Sequence, residues 1–261
     1  MSVLKDKNIL LGVTGGIAAY KSITLLRLLK KSGADVQVIF TKSAHDFVTT
    51  LTFSSLSERP VLTNFFEEED NSMNWNNHID LAEWADFLLI VPATSSTISK
   101  MVSGNADNLL IATYLSIKCE VFFAPAMDLD MYAHPSNQKN ISTLNSFGNH
   151  VLPVGEGKLA SGLEGKGRML EPEEIINYIV GYFHPKQPLK DQTVLITAGP
   201  THESLDPIRF IGNNSSGKMG FSLARIASNL GAKVILISGP SNERIDLPLV
   251  KLHKVTTSDE M

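Results

Sequence analysis

Short apolar runs alternate with helical patterns along the first 183 residues, and this alternation limits the fold more than any other feature of the sequence. The predicted strands are 8–13, 36–40, 87–91, 121–124 and 151–154. The predicted helices are 17–31, 44–56, 95–116, 134–147 and 172–183. Parallel strands need a helical crossover between them, and a sheet built in this way is covered on both faces. The sequence therefore predicts an α/β fold with a doubly wound parallel sheet.

Two polar segments interrupt this alternation. Residues 64–77 are rich in Asn and Glu and are predicted to form a surface loop able to order over a site. Residues 155–167 hold five glycines with charges between them, which is too polar for a core element and predicts a mobile flap.

A second unit is predicted after residue 183. Residues 184–190 have the proline and charge content of a linker, which separates a first domain, 1–183, from a second, 191–261. The elements predicted in the second segment are a strand at 194–197, a helix at 218–230 and a strand at 233–237. One strand-helix-strand unit cannot bury both faces of a sheet, so this segment is predicted to be the incomplete beginning of a Rossmann-like domain.

Charge and composition exclude several functions. The net charge is −4, from 27 acidic and 23 basic residues, so the chain lacks the basic field that holds a nucleic-acid backbone. A single cysteine, Cys119, rules out an internal disulfide and fits a reducing compartment. No run approaches the ~18 consecutive apolar residues of a membrane span, and the first residues lack the apolar core of a signal peptide. We therefore expect a cytoplasmic protein without nucleic-acid or membrane partners.

Glycines and hydroxyl side chains follow three of the predicted strands. Gly15 and Gly16 follow the first strand, Thr41 and Ser43 follow the second, and Thr-Ser-Ser-Thr at 94–97 follows the third. Open α/β sheets bind ligands beyond the carboxyl ends of their strands, where backbone N–H groups attract phosphate. The pattern favours a phosphorylated cofactor, although each hydroxyl alone is equally consistent with helix N-capping. No acidic residue ends the second strand, which favours a mononucleotide over NAD.

His78 is a candidate general base, since it follows the polar segment 64–77 and an imidazole titrates near neutral pH. A single histidine is more often a surface or capping residue, so both interpretations stay open from the residues alone. The residues Met127, Met131 and Tyr132 are as consistent with core positions as with a functional site. The sequence predicts no metal site in this chain.

Eight motifs along the whole chain carry a resemblance to a known family. They are T-G-G-I-A-A-Y-K (14–21), H-I (78–79), P-A-T (92–94), D-N-L-L (107–110), P-A-M-D-L-D-M-Y (125–132), G-R-M (167–169), T-A-G-P-T (197–201) and N-N-S-S-G-K-M-G (213–220). Together they resemble the homo-oligomeric flavin-containing cysteine decarboxylases. Within that family they are most similar to the bifunctional enzymes that join a decarboxylase to a CTP-dependent ligase.

The resemblance implies a flavodoxin-like fold that binds FMN and decarboxylates 4'-phosphopantothenoylcysteine to 4'-phosphopantetheine in coenzyme A biosynthesis. It also implies a trimer-based homo-oligomer with FMN sites between subunits, and His78 as the active-site base. The implied FMN-binding residues are Gly15, Gly16, Ile17, Thr41, Ser43, Thr94, Ser95, Ser96, Thr97 and Ala126. The implied substrate-binding residues are Asp128, Met131, Ala160 and Ser161.

Asp128, Tyr132 and Ser161 depart from the family pattern. Asp128 and Tyr132 stand at the Asn and Trp of the family motif P-x-M-N-x-x-M-W, and an ionised Asp128 would repel a substrate carboxylate. Ser161 takes the place of the cysteine that donates the last proton, and a hydroxyl is a much weaker acid than a thiol. Two alternatives therefore stand beside the complete reaction: a cysteine decarboxylase that stops at the enethiol, and a non-catalytic FMN-binding interaction module.

The C-terminal segment matches a phosphate loop only in part. Gly212, Gly217 and Lys218 have its spacing, but Met219 replaces the hydroxyl that would bind Mg²⁺, so we do not expect a phosphate-loop NTPase. The resemblance instead implies the start of a ligase that uses CTP and Mg²⁺ in the full-length protein, with Asn213 as a catalytic residue in turnover of the acyl-cytidylate. We expect no ligase activity from this chain alone.

Overall fold

The computed structural model describes residues 3–69, 72–158, 162, 164–184 and 187–261. Contacts between Cα atoms divide the chain into two compact units, Met1–Phe183 and His184–Met261. None of the helices in the described ranges is both long and apolar enough to cross a bilayer.

Strands and helices alternate along the first unit. The strands are β1 Asn8–Val13, β2 Asp35–Phe40, β3 Phe66–Glu69, β4 Ser72–Trp75, β5 Phe87–Ala93, β6 Glu120–Pro125, β7 His150–Val151, β8 Val154–Lys158 and β9 Glu164–Met169. The α-helices are α1 Lys21–Lys31, α2 Thr50–Ser57, α3 His78–Trp84, α4 Ser95–Ser103, α5 Leu109–Ser116, α6 Leu129–Ala133, α7 Pro135–Ser146 and α8 Pro172–Phe183. Short 3₁₀ helices cover Ile17–Tyr20 and Lys42–Asp46.

Five strands form the central sheet in the order β2-β1-β5-β6-β7, and every neighbouring pair is parallel. This is the 2-1-3-4-5 strand order of flavodoxin-like folds. Leu11 and Val13 of β1 pack in a cluster with α1 and α8, whereas Leu10 packs in a second cluster with α4, α5 and α7. All seven residues of β5 are buried because helices cover both faces of the sheet. The prediction of a doubly wound parallel sheet is confirmed.

Several predicted elements are divided in the structure. The helical stretch predicted at 95–116 consists of two helices: α4 ends at Ser103, before Gly104, whose φ of +69° favours glycine, and α5 begins after Asn108, which accepts a hydrogen bond from the Ile111 amide. The stretch predicted at 44–56 is divided between the 3₁₀ helix Lys42–Asp46 and α2, and the stretch predicted at 17–31 is divided between the 3₁₀ helix Ile17–Tyr20 and α1. Of the strand predicted at 151–154, Val151 belongs to β7 and Val154 begins β8.

Both polar segments contain strands that the sequence prediction missed. β3 and β4 form an antiparallel pair within 64–77, and β8 and β9 form another within 155–167. The prediction of a loop over 64–77 is therefore wrong. These hairpins escaped detection because charged, amide and glycine residues occupy most of their positions, so the alternation of apolar and polar residues that predicts a strand is weak.

The second unit has a small sheet with one helix beside it. Its elements are β10 Thr193–Ala198, β11 His202–Ser204, β12 Phe210–Gly212, α9 Lys218–Asn229, β13 Lys233–Ser238 and β14 Val250–Lys254. Three parallel strands have the order β10-β13-β14, and β11 pairs with β12 antiparallel. Val234 and Leu236 are buried together with Phe221 of α9, whereas Leu195 of β10 is 62% exposed. The sequence prediction missed β14, because Lys251, His253 and Lys254 interrupt its apolar pattern.

Candidate functional site

The turns that follow β1 and β5 are joined by a chain of hydroxyl groups. The Thr14 side chain is fully buried and donates a 2.7 Å hydrogen bond to the Pro92 carbonyl oxygen. Its oxygen lies 3.4 Å from that of Thr94, and the Thr94 oxygen lies 3.2 Å from that of Thr97. These contacts fix the carboxyl ends of two neighbouring strands relative to each other.

The two glycines after β1 have different surroundings. A Cβ on Gly15 would lie 2.5 Å from the Ser43 Cβ and 2.6 Å from its backbone oxygen, so only glycine permits this approach to the turn after β2. A Cβ on Gly16 would meet the Thr94 Cγ2 at 3.5 Å, an ordinary contact. Packing against Ser43 therefore explains why residue 15 is glycine. At Gly16 no such overlap exists, and the backbone stays open to approach at the same edge of the sheet.

A cavity of about 950 Å³ lies at this edge of the sheet. Small-molecule sites span about 300–1,000 Å³, so its size suits a large ligand. The lining residues include six hydroxyl side chains and two lysines, together with amide, acidic and imidazole groups: Thr41, Ser43, Thr63, Thr94, Ser96, Thr97, Lys42, Lys100, Asn64, Asn108, Asp46, Asp107 and His45. The first turn of α4 adds backbone N–H groups and the positive end of a helix.

Lys42, His45 and Lys100 are cavity residues that sequence reasoning missed. Lys100 donates a 2.6 Å hydrogen bond to Asp107, and this contact holds the pKa of Asp107 below its ordinary value. His45 hydrogen-bonds the Thr63 hydroxyl at 3.1 Å. The available signal for Lys100 was its helical spacing from Ser96 and Thr97, which places the three residues on one side of α4.

Ser95 is directed differently from Ser96 and Thr97. Ser95 is not one of the described residues that line the cavity, and its hydroxyl donates a 2.6 Å hydrogen bond to the Asn137 side chain. Ile17 is 62% exposed at the start of its 3₁₀ helix, and the Ala126 amide donates to the Ala93 carbonyl oxygen at 3.1 Å. These predicted cofactor contacts therefore lie near the same strand ends, outside the cavity lining.

His78 is the first residue of α3, directly after Asn77, whose side chain accepts a hydrogen bond from the Ile79 amide. The His78 Nδ1 atom is buried and has no hydrogen-bond partner among the described residues, and its ring meets Phe65 edge-on at 6.0 Å. His78 is not among the residues described as lining the 950 Å³ cavity. A buried unpaired imidazole nitrogen is uncommon and marks His78 as a candidate functional group.

The predicted substrate motif lies against the hairpin of β8 and β9. The Met127 amide donates to the Gly167 carbonyl oxygen at 3.2 Å, and a Cβ on Gly167 would lie 2.5 Å from the Met127 oxygen. Asp128 precedes α6 and accepts a 2.7 Å hydrogen bond from the Leu129 amide, while Met131 is 49% exposed. The motif and the base of the predicted flap are thus adjacent. Ala160 and Ser161 lie outside the described residues.

In the second unit, α9 begins at Lys218 after Gly217, which has a φ of +79°. Asn213 is exposed and lies between β12 and this helix. β12 is a three-residue strand paired only with β11 within the described ranges, so the loop before α9 does not continue a strand of the parallel sheet. This geometry differs from a phosphate loop, in which a sheet strand leads directly into the glycine-rich loop.

The strand order and the hydroxyl-lined cavity at the carboxyl edge define a flavodoxin-like protein with a candidate ligand site at that edge. The chain belongs to the flavoprotein family, whose model matches residues 2–184. A second family model, the C-terminal domain of DNA/pantothenate metabolism flavoproteins, matches residues 189–261.

Individual relatives agree with this assignment. The chain is 49% identical over 218 residues to a "Cysteine/Cysteine sulfinic acid decarboxylase" from an unknown prokaryotic organism, covering 82% of this chain and 60% of the relative. It is 47% identical over 240 residues to the "Coenzyme A biosynthesis bifunctional protein CoaBC" of Bacillus subtilis strain 168, covering 91% of this chain and 59% of the relative. The chain thus spans less than two thirds of either relative.

A solved structure of a PPC decarboxylase mutant complexed with pantothenoylaminoethenethiol is also similar. It superposes with a TM-score of 0.59 at 30% identity and covers 69% of this chain and 99% of that chain. The similarity therefore corresponds in extent to the first unit.

Proposed function

We propose that the first unit binds FMN and decarboxylates 4'-phosphopantothenoylcysteine to 4'-phosphopantetheine. The observation that carries this proposal is the hydroxyl-lined cavity at the carboxyl edge of the sheet in a chain of the flavoprotein family. The relative named for coenzyme A biosynthesis and the similar PPC decarboxylase support the choice of substrate.

The residues at the cavity fit a phosphorylated flavin. Ser43, Ser96 and Thr97 offer hydroxyl donors, and the first turn of α4 offers N–H groups to a phosphate. The open position at Gly16 lets a planar ring approach the backbone without meeting a Cβ. A flavin bound there would supply reversible two-electron redox chemistry to the cysteinyl unit of the substrate.

His78 is proposed as the base, and its position supports a homo-oligomer. Its buried Nδ1 lacks a partner among the described residues, and His78 does not belong to the described lining of the cavity in the same chain. A second copy that brings His78 to its neighbour's cavity would complete the site, which agrees with the trimer-based assembly that the resemblance implies.

Asp128 supports a second candidate substrate, cysteine or cysteine sulfinate with a free α-ammonium group. The Asp128 carboxylate replaces a neutral amide of the family motif and would attract an ammonium group, and the relative bearing that substrate name is 49% identical. Under this alternative, Asp128 selects for a free amino acid and against an N-acylated cysteine.

We also propose that 191–261 is the beginning of a ligase half after the linker 184–190. The match of residues 189–261 to the C-terminal domain model supports this division. CTP and Mg²⁺ would serve the longer protein, in which Asn213 would act on the acyl-cytidylate.

The experiment measures CO₂ and product mass after incubating the purified flavin-loaded protein with 4'-phosphopantothenoylcysteine, with free cysteine or with cysteine sulfinate. The proposal expects CO₂ and phosphopantetheine from the first substrate. A product two hydrogens lighter would mean that the reaction stops at the enethiol, and CO₂ from none of the three substrates would contradict the decarboxylase assignment.

Two variants test the proposed roles of His78 and Asp128 in the same assay. His78→Asn should abolish CO₂ release while the bound flavin, identified by mass after denaturation, remains FMN. Asp128→Asn should raise kcat/KM for phosphopantothenoylcysteine under the first candidate. Under the second candidate it should instead abolish activity on free cysteine, because the carboxylate partner of the ammonium group is lost.

A further inference from the structure

We propose that Asn137 is a positioning residue that couples the substrate motif to the cofactor cavity through Ser95. Its kinetic consequence rests on the proposed function, whereas its structural consequence does not. The Asn137 side chain is 6% exposed and joins two elements that are distant in sequence. Its Oδ1 accepts from the Ser95 hydroxyl at 2.6 Å, and its Nδ2 donates to the Met131 carbonyl oxygen at 2.6 Å.

The two hydrogen bonds of Asn137 lead to different parts of the proposed site. Ser95 is the first residue of α4, whose next residues, Ser96 and Thr97, line the 950 Å³ cavity. Met131 lies in α6, which begins directly after Asp128 of the substrate motif. Asn137 therefore binds Ser95, on the cofactor side, through its carbonyl oxygen. It binds Met131, on the substrate side, through its amide N–H group.

The helix α6 depends on such contacts because its apolar anchor is weak: Tyr132 packs only partly buried against the second hydrophobic cluster. It has five residues, none of which is buried, and a helix of this length is marginal by itself. Its carbonyl oxygens are held by two neighbouring amides of α7: Asn137 binds Met131, and Gln138 donates to the Tyr132 oxygen at 2.6 Å. Only the first of these contacts continues to Ser95.

An amide is the side chain that this position requires. Asn137 uses one acceptor and one donor on a single planar group, whereas an ionised aspartate would accept from Ser95 but could not donate to Met131. Because Asn137 is buried, water cannot readily replace a lost partner. Removing the Ser95 hydroxyl should therefore loosen α6, although Ser95 and α6 lie on opposite sides of Asn137.

The test combines hydrogen exchange with mutant cycles on the full flavin-loaded chain. The measured signal is exchange of the amides of 128–134, which include the 2.8 Å hydrogen bond from the Tyr132 amide to the Asp128 oxygen. We expect S95A and N137A each to speed this exchange about tenfold, the size expected for loss of one buried hydrogen bond. S95T, which keeps the hydroxyl, should restore the wild-type rate.

Gln138 supplies the matched control. Adding S95A to N137A should change exchange less than twofold, because the link is already broken, whereas adding S95A to Q138A should retain the tenfold effect. Independent, multiplying effects of S95A and N137A would overturn the proposal, as would wild-type exchange in S95A. If N137A does not fold, S95A still tests the proposal, because this substitution removes only a single oxygen atom.

The kinetic measurement separates this proposal from the function itself. With phosphopantothenoylcysteine, S95A should raise KM about tenfold and leave kcat and FMN content within twofold, because the substrate motif is displaced while the cofactor turn keeps its other contacts. A loss of FMN with unchanged KM would overturn the positioning role. If the wild-type protein releases no CO₂, the proposed function fails, and the exchange cycle still decides whether the link exists.

Discussion

Gly15 and Gly16 are adjacent, but the structure gives them different reasons to be glycine. We expect Gly15→Ala to lower the free energy of unfolding by about 1–3 kcal/mol, because its Cβ would overlap Ser43 and that contact includes backbone. Gly16→Ala should change the free energy of unfolding of the flavin-free protein by less than ~0.5 kcal/mol. Urea denaturation measures both changes.

The flavin content of the same two variants should be compared with their stability. Gly16→Ala places a methyl group beside Thr94, which lines the cavity, so we expect this variant to bind less flavin even though it folds normally. Equal stability of the two variants would contradict the packing explanation of Gly15, and full flavin content in Gly16→Ala would contradict the open approach.

Cys119 shows how burial decides the role of a reactive side chain. The Cys119 thiol is half-buried, and burial raises its pKa to about 11. A thiol with this pKa stays protonated at neutral pH and is a poor nucleophile. Cys119, directly before β6, is therefore a structural residue, and we do not expect it to replace the cysteine that the resemblance implies at position 161.

At the scale of elements, a buried lysine joins α1 to the chain between β9 and α8. Lys21 is 5% exposed, and its Nζ donates to the Met169 carbonyl oxygen at 3.2 Å and to Glu171 at 2.8 Å. The hydrogen bond from Lys21, with help from Arg168, holds the pKa of Glu171 below its ordinary value. This contact fixes the base of the β8–β9 hairpin to the helix that follows the glycine turn.

We expect Glu171→Gln to lower the free energy of unfolding at pH 7 by about 1–2 kcal/mol, since the buried Lys21 ammonium loses its charged partner. Because the pKa of Glu171 is lowered on folding, its stabilisation is present above the ordinary glutamate pKa of 4.5 and is lost as the pH falls below that value. Urea denaturation at pH 7 and pH 4 should therefore show a difference from wild type that shrinks at pH 4. The exposed Glu173 gives a matched control, and an equal loss in Glu173→Gln would argue against the Lys21 contact.

At the scale of the whole molecule, the two units have separate hydrophobic cores. The clusters of the first unit contain residues up to Phe183, and the cluster of the second begins at Leu189. We expect a chain ending at residue 183 to fold and to bind flavin with an affinity within about twofold of the longer chain, because every residue described at the cavity lies before that point. Thermal unfolding and flavin titration of the two chains test this expectation, and loss of flavin from the shorter chain would contradict it.

The sequence by itself determined the fold class and the edge of the sheet at which the candidate site lies. Buried strands such as 87–91, separated by helical patterns, require parallel crossovers, and this topology places the residues after each strand at one edge. The same topology groups Thr41, Ser43 and 94–97 at that edge.

The tertiary structure decided which of these side chains serve the cavity and which hold the scaffold. Successive helical residues differ by about 100° in direction, so spacing alone could not show that Ser96 and Thr97 line the cavity while Ser95 turns to Asn137. His45 and Asn137 became visible only through contacts between segments that are remote in sequence. Local periodicity therefore specified the elements, and long-range contacts specified their roles, because a side chain's partner depends on the rotation and contact of whole helices.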